Sequence, residues 1–345
     1  MIVTFATAAT LAPGKRPQPW RDPTGPGPGY RLRVIVCVAA NPSIDKLFEV
    51  ERLTPGEIHR PLEFVQTAGG KGLNVARAAR TLGAEVRAAG ILRGHAGRWL
   101  EESLRADGID GAFVWADGEN RSSLSVAERT NDGLTEFYEH GSPVSERAWL
   151  ELIDAVQGSF APGGWVTVSG SLPPGVPDDG YRHLVTRARD SGMRVALDAE
   201  GERLRLALAS SPEVVKVNAS EASELVGSPT RDRAGSLDAA TRIRELAGGA
   251  GHAGIVTRGA DGVVVAAPDG RRYGGALYER GRYPVGSGDA FLAGLVVGLE
   301  RGSDWPDALR VALGAATANA ETPGAGRFDA QRAVALEARA QVNEL

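Results

Sequence analysis

Lysine is scarce in this chain. Only four of its 39 basic residues are lysines, Lys15, Lys46, Lys71 and Lys216, which makes the position of each worth inspecting. Cysteine is scarcer still: one in 345 residues, so no internal disulfide framework can form. No apolar run reaches 18 residues, and no basic segment precedes the mildly apolar stretch 1–10, so neither a membrane span nor a secretory leader is expected. A net charge of −4 supplies no bulk field that would draw the protein onto nucleic acid. The expectation is a soluble cytoplasmic protein with no nucleic-acid or membrane partner.

The apolar fraction, 42%, is ordinary for a chain that builds a sizeable core, which excludes a disordered or fibrous protein. The length suits one large domain, or one domain with a small appendage. Glycine is abundant, 45 residues against a usual share of roughly 7%. It has no triplet period and points to many tight turns.

Segment 1–30 is dense in Pro and Gly at 11–30 and reads as a flexible N-terminal extension outside the fold. Order is expected to begin at Arg33 with the short apolar run VIVCVAA (34–40), followed by the turn-prone NPSID (41–45). From residue 145 onward, helical periods alternate with apolar runs such as WVTVS (165–169) and EVVKV (213–217). Strands alternating with helices imply an α/β fold whose mostly parallel central sheet is covered on both faces. Segments 48–66 and 121–140 break that rhythm and read as short antiparallel ribbons, the second turned at Asn131-Asp132-Gly133. They are best placed together as a small β-lid over the carboxyl ends of the strands, where ligands bind in open α/β sheets. The expected organisation is one domain over 31–335 carrying that lid, with 336–345 as a C-terminal tail.

Four glycine-rich or polar turns are candidates for chemistry. In PVGSGDAFLAGLVVGL (284–299), Gly286, Ser287 and Gly288 stand just before an apolar helix, so their N–H groups can face an anion. Asp289 in the first turn either favours the helix terminus as any carboxylate does or takes a proton from an attacking hydroxyl. In AGGKGLN (68–74), Gly69 and Gly70 either make a tight turn or let backbone approach a ligand, with Lys71 as an anion or sugar contact. This is no Walker A loop, since the spacer and the following Ser or Thr are missing. SGSLPPGVP (169–177) is a polar loop directly after a strand. In VKVNASE (215–221), Asn218 and Glu221 form either a capping box or a pair that steers hydrated Mg²⁺ toward a polyphosphate. No G-x-G-x-x-G follows the first strand, which leaves a dinucleotide-binding dehydrogenase without support.

NPSID, GGKGLNVA, SGSLPPG, the Asn-x-x-Glu element, TRGADG (257–262) and VGSGDAFLAG, in that order, resemble the PfkB or ribokinase-like carbohydrate kinases. The similarity runs from about residue 33 to about 330 and is strongest to the 1-phosphofructokinase and tagatose-6-phosphate kinase branch. The resemblance implies a three-layer α/β/α sandwich with a β-lid and an ATP- and Mg²⁺-dependent kinase. Its acceptor would be a ketohexose monophosphate, with fructose 1-phosphate first, and tagatose 6-phosphate or fructose 6-phosphate as rivals. It further implies Asp289 as catalytic base and Gly286, Ser287 and Gly288 as the anion hole. Asp45, Gly69, Gly70, Lys71, Asn74 and Ser169 would meet the sugar, and Arg121 the substrate's own phosphate. Asn218, Glu221 and Asp198 would order the nucleotide phosphates, Glu221 through water on Mg²⁺, while Thr257, Gly259 and Gly262 line the nucleotide side.

Lid-to-lid homodimers recur in the branch, and in such a clasp His59 or Arg60, beside the GEIHR turn, would reach the neighbour's substrate. The chain departs from the family pattern in three places. Asn120, Ser123 and Ser125 stand in the lid where Thr, Asn and Lys are common, Val217 replaces a proline, and Ser287 replaces an alanine. The thinner lid charge keeps two alternatives open: a kinase of an unphosphorylated sugar or nucleoside, and a non-catalytic sugar-phosphate-binding module.

Overall fold

The computed structural model describes residues 33–345 except 132, 278 and 280; the expected extension 1–30 lies outside the described residues, as does the middle residue of the 131–133 turn. The chain opens with strand β1 (Ile35–Ala39), fully buried, then β2 (Ser43–Val50), β3 (Glu63–Gly69) and helix α1 (Lys71–Thr81). β4 (Val86–Arg93), α2 (Gly94–Ala106), β5 (Asp110–Ala116), β6 (Arg121–Glu128) and β7 (Leu134–Tyr138) follow. The regular half begins with α3 (Glu146–Gln157), β8 (Trp165–Ser169), α4 (Gly180–Asp190), β9 (Arg194–Asp198) and α5 (Gly201–Leu208). It continues through β10 (Val214–Asn218), α6 (Ala219–Val226), α7 (Arg233–Leu246), β11 (Ala253–Thr257), β12 (Val263–Ala266) and β13 (Arg272–Ala276). α8 (Ser287–Glu300), α9 (Trp305–Ala320), α10 (Ala330–Glu337) and β14 (Gln341–Glu344) close it.

Ten strands form one sheet in the order β14-β13-β12-β11-β10-β9-β8-β1-β4-β5, parallel from β11 to β5 and antiparallel at the β12–β14 end. The side-chain alternation of β1 divides the core. Ile35, Cys37 and Ala39 pack with residues of α1, α2, α8, α9 and α10, while Val36 and Val38 pack with α3, α4, α5, α6 and α7. A sheet covered on both faces explains why its inner strands read as unbroken apolar runs. β1 pairs with both β4 and β8, so the chain builds outward from it in two directions. Beyond the carboxyl ends of the strands at this reversal lies the crevice where open α/β sheets take ligands.

The lid is a four-stranded sheet, β3-β2-β6-β7, in which β2 and β6 run parallel. NPSID is only partly a turn, because β2 starts at Ser43 and Asp45 is a strand residue facing Ser123. The expected tail 336–345 is corrected as well. It begins inside α10, and Gln341–Glu344 pairs antiparallel with β13, supplying backbone partners that an open edge would lack. Among the described residues no helix is long and apolar enough to cross a membrane.

Candidate active site

Helix α8 starts at a turn that only glycine can make. Gly286 is the N-cap at φ 80°, and a Cβ there would lie 2.6 Å from the Ala325 Cβ. The first-turn N–H groups of a helix have no intrahelical acceptor, so those of Gly288 and Asp289 are left for an anion. The N–H of Ser287 is not, because it donates to the Pro284 carbonyl at 3.1 Å, and the Ser287 hydroxyl accepts from Asn319 Nδ2 at 3.1 Å. Ser287 therefore shapes the turn.

Asp289 is 6% exposed, and its Oδ2 accepts from Asn74 Nδ2 at 2.9 Å. Burial, then the negative charge of Asp198, pushes its pKa up to about 7 against the opposing pull of Lys216, Lys71 and Asn74. A carboxylate poised there is charged often enough to act as a base and basic enough to hold a proton.

Beneath it lies a buried ion cluster. Asp198, at the end of β9, is fully buried, with Oδ1 3.0 Å from Lys71 Nζ and Oδ2 2.6 Å from Lys216 Nζ. Burial alone would raise the pKa of Asp198, but the two ammonium groups outweigh it and hold it below the ordinary carboxylate range. Lys71 also lies 3.4 Å from Glu221 Oε1, and chiefly Asp198 drives its pKa above the usual lysine value, so it stays charged. Lys216, which the motif reading left without a role, stands 2.9 Å from where a Cβ on Gly288 would be. The signal for it was a lysine inside an otherwise apolar strand, β10, in a chain with four lysines.

On the lid side, Asp45 Oδ1 accepts from the Ser43 and Ser123 hydroxyls at 2.5 and 2.7 Å, and Oδ2 accepts the Gly70 N–H at 3.2 Å. A Cβ on Gly69 would overlap the Asp45 carboxylate, and Gly70 has φ 93°, so both glycines are needed for the close approach of β2 to the β3–α1 turn. Asn74 Oδ1 and Ser169 Oγ are buried and have no protein partner among the described residues. Such atoms are costly unless a ligand or water serves them, which fits a hydroxyl-bearing acceptor lying between Asp45 and Asp289. Arg121 is half-buried at the lid hinge, where Nε donates to the Asn41 carbonyl at 3.2 Å and Nη1 to that of Glu139 at 3.3 Å. Arg60 is exposed in the β2–β3 connection, and no hydrogen bond or ion pair joins it to these groups among the described residues.

The side expected for the nucleotide is an open groove of about 910 Å³ lined by Asn218, Ser223, Thr230, Thr257, Arg258 and Gly259, among others. That is within the roughly 300–1,000 Å³ typical of ligand pockets. Asn218 and Glu221 do form a capping box: Oδ1 of Asn218 accepts the Glu221 N–H at 2.9 Å, and Oε2 of Glu221 accepts the Asn218 N–H at 2.7 Å. The second carboxylate oxygen of Glu221 remains toward Lys71. Gly262 lies outside the groove lining; it has φ 88°, and a Cβ there would overlap the Gly275 carbonyl, so its role is the turn into β12. Among the described residues no cluster of three or more His, Cys, Asp or Glu could cage a metal. A hydrated Mg²⁺ shared with phosphates needs only one or two carboxylates, and Glu221 supplies that kind of donor.

Residues 35–331 match the model of the pfkB family of carbohydrate kinases. The chain is 33% identical over 281 residues to a 1-phosphofructokinase of Haloferax volcanii, covering 81% of this chain and 88% of that one. The structure of phosphofructokinase-2 from Escherichia coli in complex with potassium superposes with a TM-score of 0.81 at 25% identity, over 89% of this chain and 99% of that one. A possible 1-phosphofructokinase from Thermotoga maritima shares the fold with a TM-score of 0.80 at 22% identity, over 91% of this chain and 100% of that one. The chain belongs to the pfkB family of carbohydrate kinases, enzymes that move a phosphoryl group onto an alcohol.

Proposed function

We propose that this kinase phosphorylates a ketohexose monophosphate with ATP, fructose 1-phosphate being the first choice of acceptor. The observation that carries the chemistry is Asp289: buried, titrating near neutrality, and fixed by Asn74 beside two unspent N–H donors. The acceptor lies between the lid and the β3–α1 turn, its hydroxyls received by Asp45, the Gly70 region and the unpartnered Asn74 Oδ1. Asp289 takes the proton from the attacking hydroxyl as its oxygen bonds to the γ-phosphorus of ATP, the bond from that phosphorus to the β–γ bridging oxygen breaks, and ADP leaves. The Gly288 and Asp289 N–H groups and the cations of Lys71 and Lys216 meet the charge on the transferring phosphoryl oxygens. Asp198 holds those two lysines in place.

ATP would lie in the groove beside Asn218, Thr257 and Gly259. Mg²⁺, when bound there, supplies neutralisation of the polyphosphate charge, with Glu221 and Asn218 as its protein-side anchors through water. Arg121 meets the phosphate already on the acceptor. The match to a relative named 1-phosphofructokinase supports this acceptor class, as does an arginine at the lid hinge. The kinase unit runs from the start of the domain at about residue 31 through β14, lid included, and it works in the cytoplasm.

The lid's outer surface carries Ile58, Leu62, Phe64 and Phe137, each more than half exposed. Such a surface favours a lid-to-lid homodimer that brings Arg60 to the neighbour's acceptor. The test of the acceptor is a panel of fructose 1-phosphate, fructose 6-phosphate, tagatose 6-phosphate, fructose and ribose, compared by kcat/KM with Mg-ATP. A preference for any unphosphorylated sugar would overturn the acceptor class. Light scattering that finds a single-chain mass with and without substrate would overturn the clasp.

A further inference from the structure

The loop that leads into the α8 turn is tied to the lid through a buried carboxylate. Glu49 is 2% exposed and lies four residues along β2 from Asp45. Four strand residues span about 13 Å and return a side chain to the same face, so β2 carries the acceptor-side carboxylate at one end and Glu49 at the other. Oε2 of Glu49 accepts the Tyr283 hydroxyl at 2.9 Å and lies 3.5 Å from Arg282 Nη1, while Oε1 pairs with Arg129 just beyond lid strand β6. Arg282 Nη2 also donates to the Glu128 carbonyl in the lid at 3.3 Å. Burial alone would raise the pKa of Glu49, but the Tyr283 hydroxyl and the Arg129 and Arg282 charges outweigh it and hold it below its ordinary value.

The body side of this contact is equally fixed. The Tyr283 N–H donates to the Ala320 carbonyl at 2.8 Å, and only Pro284 and Val285 separate Tyr283 from Gly286. The neighbouring Asn319 holds the Val285 carbonyl at 2.9 Å and the Gly326 N–H at 2.7 Å. Segment 282–286 is thus held between the lid and α9 immediately before the turn that presents the anion-binding N–H groups.

We propose that Glu49 is a positioning residue for phosphoryl transfer: through Tyr283 and Arg282 it couples the seated lid to the geometry of the Gly286 turn. Contact of the lid with the acceptor at Asp45 and alignment of the turn then form one event. This rests on the assignment of that turn to the transferred phosphoryl group.

Tyr283→Phe removes only the hydroxyl and keeps the ring, and Glu49→Gln removes the charge. The probe is Mg-ADP with aluminium fluoride and fructose 1-phosphate, a stand-in for the transferring phosphoryl group, measured by calorimetry against Mg-ADP alone. Tyr283→Phe is expected to weaken the fluoride complex at least fivefold, to leave Mg-ADP within twofold, and to lower kcat with KM for ATP within twofold. The two substitutions combined should lose no more than Glu49→Gln alone, because they break one unit. Should Glu49→Gln fail to fold, Tyr283→Phe still gives the decisive reading. Glu63→Gln, which removes the exposed carboxylate 3.7 Å from Arg129, is expected to change nothing, and an equal loss there would overturn the proposal. A fluoride complex of wild-type affinity in Tyr283→Phe overturns the coupling alone. No such complex in the unaltered enzyme overturns the assignment of the turn and the coupling with it.

Discussion

Replacing Asp289 by Asn should abolish most turnover and at the same time stabilise the fold. Asn has the same shape and can still accept the Asn74 hydrogen bond that now reaches Oδ2 at 2.9 Å, but it cannot take a proton from a hydroxyl. General-base catalysis supplies 10²–10⁴-fold, about 2.7–5.4 kcal/mol of barrier, so kcat/KM should fall by that range with nucleotide affinity kept. The stability sign follows from the shift itself. The pKa rises from 3.8 to about 7 on folding, so the folded state holds the proton more tightly. The cost to stability therefore builds as pH rises from about 4 and is complete above about pH 7, where it reaches about 4 kcal/mol for a shift of about three units. The Asn variant escapes that cost: its gain is full above about pH 7 and vanishes as pH falls toward about 4, where both states of the parent are protonated. Calorimetric melts at several pH values and a pH profile of kcat/KM measure both effects, and the unaltered enzyme should gain activity through about pH 7. A loss smaller than about tenfold, or an Asn variant that melts lower than the parent at pH 8, would refute the assignment of Asp289 as a buried base.

Gly69→Ala places a methyl group into the Asp45 carboxylate; KM for the acceptor should rise more than about tenfold with KM for ATP unchanged, at about 1–3 kcal/mol of stability by thermal melt. Arg121→Ala should lower kcat/KM for a phosphosugar by about two orders of magnitude, since a planar guanidinium pairs with phosphate through two donors, while the unphosphorylated sugar hardly changes in the same assay. Lys216→Met leaves Asp198 one cation short and should cost about 3–5 kcal/mol in denaturant melts, as breaking a buried pair does. It should also move the rising limb of the pH profile above 7, because Lys216 is one of the charges restraining the pKa of Asp289.

The central sheet was legible because its strands are buried on both faces and so read as apolar runs; the strand expected at 165–169 is β8 to the residue, and the one expected at 213–217 is β10 moved along by one. What the sequence could not carry was pairing between distant segments. β2 and β6 lie side by side in parallel with Ser43 opposite Arg121, and no local pattern reports a partner that far along the chain. β14 was missed for a related reason. Its four residues hold one apolar side chain, Val342, and the strand exists because β13 offers an unpaired edge. The start of β2 was hidden by Asn41-Pro42, which signals a turn, whereas the turn ends at once and Asp45 enters a strand that also holds Glu49.

At the site, type and position were readable and orientation was not. Asn218 and Glu221 read either as a capping box, the stronger local reading, or as a nucleotide contact, and the folded chain forms the box while leaving one Glu221 oxygen toward Lys71. Lys216 shows why the alternatives were hard to rank. In β10, Val215 and Val217 face one core and Val214 the other, so Lys216 by alternation points inward toward α8, where a cation survives only beside a buried anion. Asp198, one strand away, is that anion, and its second oxygen takes Lys71. In a chain where arginine otherwise supplies nearly every positive charge, lysine is retained at both places. A compact ammonium fits a slot 2.9 Å from the Gly288 Cβ position, and the planar fork of a guanidinium would displace the turn that must stay in place.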